Sequence, residues 1–153
     1  MSLEPVLEHV KKNFQEGDID KALGDLKIAK EITSRDFRIF FYYGRCFIKK
    51  GDFGNAIENL EEAYKLNSVG HVTFYLAKAY LLNGNYLKAL NLIESTIKLG
   101  ISDRLRAGLN YFEAGAYREL GKRDESIKAA EKAVKFAPNN EEYQSTLNNL
   151  KKA

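Results

Sequence analysis

Apolar residues recur along this chain at the spacing that an α-helix buries, in segments separated by glycine. Phe40, Tyr43, Gly44 and Phe47 stand at i, i+3, i+4 and i+7, one stripe of a helix. Tyr143, Thr146, Leu147 and Leu150 repeat the stripe near the C-terminal end. Four glycines punctuate the pattern, Gly17, Gly51, Gly84 and Gly121, at intervals of 34, 33 and 37 residues. A period of this length predicts stacked supersecondary units. Each unit reads as helix, glycine turn, helix, with the glycine supplying a positive φ where the first helix ends.

The positions around the glycines agree in phase. Five residues after each stands Ala22, Ala56, Ala89 or Ser126, and nine after stands Leu26, Leu60, Ile93 or Ala130. Twelve after stands Ala29, Ala63, Thr96 or Ala133, and fifteen after stands Ile32, Leu66, Leu99 or Phe136. Seven before stands Val10, Gly44, Ala77 or Ala114, so small residues let the paired helices approach closely. Four before stands Asn13, Phe47, Tyr80 or Tyr117. The longer third interval falls near Gly100-Ile101-Ser102-Asp103, where Gly100 suits a helix end and Ser102 or Asp103 the next N-cap.

This phrase resembles the tetratricopeptide repeat family. The second unit carries it best, in Tyr43-Gly44, Phe47, Gly51-Asp52-Phe53, Ala56, Leu60 and Ala63. The fourth carries Ala114, Tyr117, Gly121, Ala133 and Pro138-Asn139-Asn140. His9, Asn13 and Glu113 stand where the family usually has apolar residues. The expected fold is all-α, with four repeats at about 3–36, 37–69, 70–103 and 107–140 and a capping helix at about 141–151, in one domain over 1–153. The resemblance implies a right-handed superhelical α-solenoid. It also implies a non-catalytic protein-interaction module, an adaptor or scaffold.

Composition narrows the chemistry. Apolar residues make up 44% and charged residues 29%, which excludes a disordered chain. Twenty-four basic against 21 acidic residues is too balanced for a general nucleic-acid binder. One cysteine, Cys46, and two histidines, His9 and His71, provide no metal-ligand spacing, and Cys46 reads as a small buried hydrophobe. Phosphate-loop, dinucleotide, nucleophile-elbow and zinc-hydrolase motifs are all missing from the sequence. The expectation is no enzyme, no cofactor and no metal. The N-terminus shows no signal-peptide pattern and no apolar run reaches membrane-spanning length, so a cytoplasmic location is expected.

A partner surface is read from the first helices, on a stripe offset from the core. Its rows are Leu7, Lys11, Phe14; Phe41, Arg45, Ile48; Phe74, Lys78, Leu81; and Tyr111, Gly115, Arg118. Phe41, Phe74 and Tyr111 form an aromatic series, Lys11, Arg45 and Lys78 a cationic one, with Arg38 and His71 at the edge. The expected ligand of this groove is a peptide segment with apolar and acidic character. The other reading of the aromatics is packing between repeats. Co-chaperone members of the family grip a terminal carboxylate with a Lys/Asn/Asn/Lys/Arg set. Leu7, Lys11, Tyr42, His71 and Tyr75 stand at those places in the first three repeats, and Phe41, Arg45, Tyr75, Gly108 and Phe112 in the last three, so neither set carries the clamp.

Two alternatives remain. One is self-association, a homodimer through terminal helices. The other is an anionic surface or nucleic acid meeting the basic C-terminal half, through Lys98, Arg104, Arg106, Arg118, Lys122 and Arg123.

Overall fold

The structure, a computed structural model, describes residues 1–152. Among them are nine α-helices and no strand. They are α1 (Leu3–Gln15), α2 (Ile19–Ile32), α3 (Phe37–Lys50), α4 (Phe53–Leu66), α5 (Gly70–Leu82), α6 (Tyr86–Ile97), α7 (Asp103–Glu119), α8 (Arg123–Phe136) and α9 (Glu141–Lys152). The helices group into two compact units, divided inside α5 after Ala79.

The four phased glycines are the only described residues with left-handed φ, between +74° and +84°. Each closes its helix in the same way. The amide after the glycine donates to the carbonyl of Asn13, Phe47, Tyr80 or Tyr117, at 2.8–2.9 Å. The glycine amide itself donates to Phe14, Ile48, Leu81 or Arg118, at 3.0–3.1 Å. This pair of bonds satisfies carbonyls that the helix end would orphan. Side-chain caps open several helices: Asp36 accepts from the Arg38 amide, Asp52 from Asn55, Ser102 from Leu105 and Asn140 from Tyr143. Ser102 thus settles the lengthened turn before α7.

In the first unit α1 packs on α2, α3 on α4, and α2 on α3. Val6, Leu7, Val10, Ala22, Leu26, Ala29, Ile39 and Cys46 form a core there. Gly44 is a point of close approach, because a Cβ added to it would lie 2.3 Å from Leu60 Cγ. Polar departures from the family pattern are accommodated locally. Asn13 donates to Asp25 at 2.8 Å, tying α1 to α2 where other repeats place an aromatic. His9 is exposed.

In the second unit α7 packs on α6 and α8, and α8 on α9. Ser126 takes the place of the repeat alanine and donates to the Ala114 carbonyl at 2.7 Å. Ala114, Ala129, Ala130 and Leu150 form the core beneath α9, with Ile127 and Leu147 at its margin. Of the stripe expected on the capping helix, Leu150 is buried, and Tyr143, Thr146 and Leu147 are half-buried.

One expected core row differs. Ile32, Leu66 and Leu99, fifteen residues after the turn glycines, are exposed at 37%, 40% and 63%. They stand where the second helices end or have already ended, beyond the reach of the partner helix.

Candidate functional site

The first-helix face of unit one is organised around Arg45 in the middle of α3. Its guanidinium carbon lies 4.5 Å from the Phe14 ring centroid, on α1, and 4.6 Å from that of Tyr75, on α5. Phe41 and Tyr42, on α3 itself, follow at 5.4 and 5.9 Å. The rings also hold one another, Phe14 edge-on to Tyr42 at 6.2 Å and Phe41 edge-on to Tyr42 and Tyr75 at 5.6 Å. Helical spacing builds this arrangement. Phe41 and Tyr42 lie four and three residues before Arg45, so all three share one side of α3.

Arg45 makes no ion pair or hydrogen bond among the described residues, and its Nε is buried without a partner. A guanidinium is fully charged at any physiological pH and carries five donors. Here aromatic rings lie against the guanidinium where water would otherwise be, a favourable exchange for a weakly hydrated cation. Its donors remain unspent.

The other candidates fall in different places. Lys11 is exposed on α1. Lys78 is half-buried, its ammonium 5.8 Å from the Tyr75 ring. Phe74 is half-buried and edge-on to Tyr75 at 5.2 Å. Phe41 is buried, only 6% exposed, with His71 edge-on at 4.9 Å, so it packs between helices more than it faces solvent. Tyr111 belongs to the second unit, where it stacks on Tyr143 of α9 at 4.7 Å and donates to Glu142 at 2.9 Å. Arg118 is exposed and paired with Glu119 at 3.3 Å.

At the edge, Arg38 is already spent. It bridges Asp36 and Glu4, each at 2.7 Å, and these contacts hold both carboxyls below their usual pKa. Desolvation and the Arg45 charge both push the His71 pKa down. Cys46 is fully buried and its thiol is pushed up to about 11 by that burial, which leaves it unreactive.

Spacing alone did not single out Tyr42 and Tyr75 as partners of the cation. The available signal was recurrence: Tyr42, Tyr75 and Phe112 all stand nine residues before a turn glycine. Arg123 was grouped with a basic cluster. In the structure its guanidinium donates to the Leu150 and Lys151 carbonyls at 3.1–3.3 Å, capping the end of α9. Two more members of that cluster are engaged as well. Lys98 pairs with Glu94, and Arg106 donates to the Ile97 carbonyl and lies 5.5 Å from the Phe136 ring.

Helical hairpins closed by identical glycine turns define a helical-repeat protein. Residues 44–103 and 107–140, together well over half of the chain, match the tetratricopeptide repeat family, and the chain belongs to it. Solved structures agree on the fold. MamA from Desulfovibrio magneticus RS-1, residue 41 to the end, superposes with a TM-score of 0.83 at 20% identity, covering 97% of this chain and 82% of that one. A thermophilic tetratricopeptide repeat protein of Thermus thermophilus gives 0.76 at 18%, over 100% and 83%. The Cut9–Hcn1 hetero-tetramer of APC/C gives 0.86 at 18%, over 98% of this chain and 30% of that one. No curated protein matches the sequence. The repeats make the chain a protein-interaction module in general terms. Among the described residues no group of histidine, cysteine and carboxylate side chains could hold a metal, and no helix is long and apolar enough to cross a membrane.

Proposed function

We propose that the chain is a non-catalytic adaptor that binds a peptide segment with apolar and acidic character on its first-helix face. The observation that carries this reading is Arg45, a fixed cation enclosed by rings from α1, α3 and α5 with its donors unspent. A carboxylate on the segment would complete its hydrogen bonding, and charge-assisted bonds of this kind are the strong ones. The half-buried surfaces of Phe74 and Tyr75 offer apolar area beside it. Lys11 and Lys78 add positive charge that speeds encounter with an acidic partner.

The test begins with capture of the native partner and mapping of the bound segment. Arg45→Lys keeps the charge but loses the guanidinium's contact with the rings and its forked donors, so affinity should fall even though charge is conserved. Phe74→Ala should weaken binding by about 2 kcal/mol, the range of an interface hot spot. Circular dichroism accompanies both measurements. Unchanged affinity of both folded variants for the mapped segment would place the partner elsewhere on the chain.

A further inference from the structure

The edge of the face around Arg45 carries a second group, one whose charge changes with pH. His71 stands in the first turn of α5, its ring edge-on to Phe41 of α3 with centroids 4.9 Å apart, and Phe37 lies at 6.0 Å. Arg45 meets the same Phe41 ring, its guanidinium carbon 5.4 Å from the centroid. A permanent cation and an imidazole therefore share one aromatic neighbour. His71 is exposed and makes no hydrogen bond or ion pair among the described residues. It can take up a proton from solvent without breaking a bond.

The charges around it are accounted for element by element. On α3, Arg38 is bridged to Asp36 and to Glu4 of α1. At the end of α4, Lys65 pairs with Glu62 at 3.9 Å. Lys11 of α1 is exposed, and Lys78 of α5 lies 5.8 Å from the Tyr75 ring. The phenols of Tyr42 and Tyr75 are the other titratable groups beside Arg45. The pKa of His71 lies below 6.5, lowered first by desolvation and then by the Arg45 charge.

A carboxylate docked on Arg45 would cancel that repulsion and bring a negative charge close to the ring. Both effects favour the imidazolium. A group that holds its proton more tightly in the complex than in the free chain takes one up on binding. Affinity is then greatest below the free pKa and falls as pH rises through the bound one.

We infer that His71 makes binding at Arg45 proton-linked, so that an acidic segment is held more tightly in mildly acidic than in neutral solution. The inference deepens the proposed function and rests on it for the ligand.

The probe is an acetylated, amidated Leu-Glu-Leu tripeptide, with Leu-Gln-Leu as its uncharged control. Ring-proton NMR follows His71 in the full chain, and His9, exposed on α1, is the internal reference. Without peptide, Arg45→Gln should raise the titration midpoint of His71, with circular dichroism confirming the fold. Saturating glutamate peptide should raise it in the parent chain, and the glutamine peptide should not. The glutamate peptide should bind about threefold more tightly at about pH 5.5 than at about pH 7.5, the interaction of two unit charges several ångströms apart near water. Its side chain stays mostly ionised over that range. His71→Asn should abolish the difference. A His71 midpoint unmoved by Arg45→Gln or by bound glutamate peptide, or an equal pH difference in His71→Asn, overturns the inference and leaves the proposed function standing. A glutamate peptide that shifts no amide of α3 or α5 at either pH overturns both.

Discussion

Phe41 and Tyr111 occupy one position of two different repeats, ten residues before the turn glycine, and Arg45 and Gly115 share the position six before it. Each aromatic ring is covered by a later first helix or by the cap. In the first unit α5 brings His71 and Tyr75 onto Phe41. In the second α9 brings Tyr143 onto Tyr111, and Glu142 accepts its hydroxyl. The four positions diverge in what the rings enclose. Around Phe41 they enclose a guanidinium with free donors. At Gly115 there is no side chain, and an added Cβ would lie 3.2 Å from Leu81 Cδ2, so the space is already filled by α5. The same scaffold position borders a guanidinium in one unit and a filled space in the other. An aromatic at this position packs against a neighbouring helix in both units, and what differs is the group it surrounds.

The strongest way to probe the comparison is through the hairpin cores beneath the two layers. Gly44→Leu should cost about 3 kcal/mol or more, because its Cβ alone would meet Leu60 at 2.3 Å. In a chain of this length that lowers Tm by roughly 6–12 °C. The matching change, Ala114→Leu, faces the smaller Ala130 and should cost less. Equal melting temperatures for the two variants would show that the hairpins pack alike.

Leu150→Ala should follow at about 2 kcal/mol, since Leu150 is the buried anchor of α9. Deletion of residues 141–153 should expose the Ala114–Ala130 surface and raise binding of a hydrophobic dye. A truncated chain with unchanged melting and dye binding would remove α9 from the role of cap.

Smaller still, Tyr143→Leu, which keeps apolar area but removes the ring stack on Tyr111, should cost about 1 kcal/mol, the contribution of a ring pair beyond its area. It should leave the partner binding proposed at Arg45 untouched. Loss of that binding on a folded background would merge the two layers into one site.

The smallest effect is a pH dependence confined to the second unit. Glu113 of α7 is half-buried, and its pKa is raised above 4.5 chiefly by desolvation, with Lys132 opposing and Glu94 reinforcing the shift. A carboxyl whose folded pKa exceeds its unfolded one binds its proton more tightly in the native state. Its contribution is therefore full below the unfolded pKa and is lost as pH rises through the folded value. Urea midpoints should fall slightly from mildly acidic to neutral pH, and Glu113→Gln should flatten that slope. An identical slope in the variant would assign it to another group.

Much of this was legible along the chain. The glycine phase located all four turns, and the alanine and leucine rows located the hairpin cores, because each depends on contacts a few residues apart or on one repeat length. Lys11, Arg45 and Lys78 were legible as a cationic series, and Phe41, Phe74 and Tyr111 as an aromatic one. Their separate fates were not. Whether Phe41 is buried or Tyr111 covered depends on which helix lies over it, and no spacing within α3 or α7 encodes that.

The amino-acid sequence by itself determined the repeat class, the turn positions and the absence of recognised catalytic motifs. These follow from backbone conformation and from helical periodicity, which are local. Tertiary structure alone decided that Arg45 is caged by Phe14 and Tyr75 from two other helices, that Arg38 is consumed by Asp36 and Glu4, and that Arg123 caps the end of α9. A charged side chain is free or spent according to the groups that reach it through space. Those groups lie 27 to 34 residues away in the cases of Arg123 and Glu4, beyond what any local pattern can express.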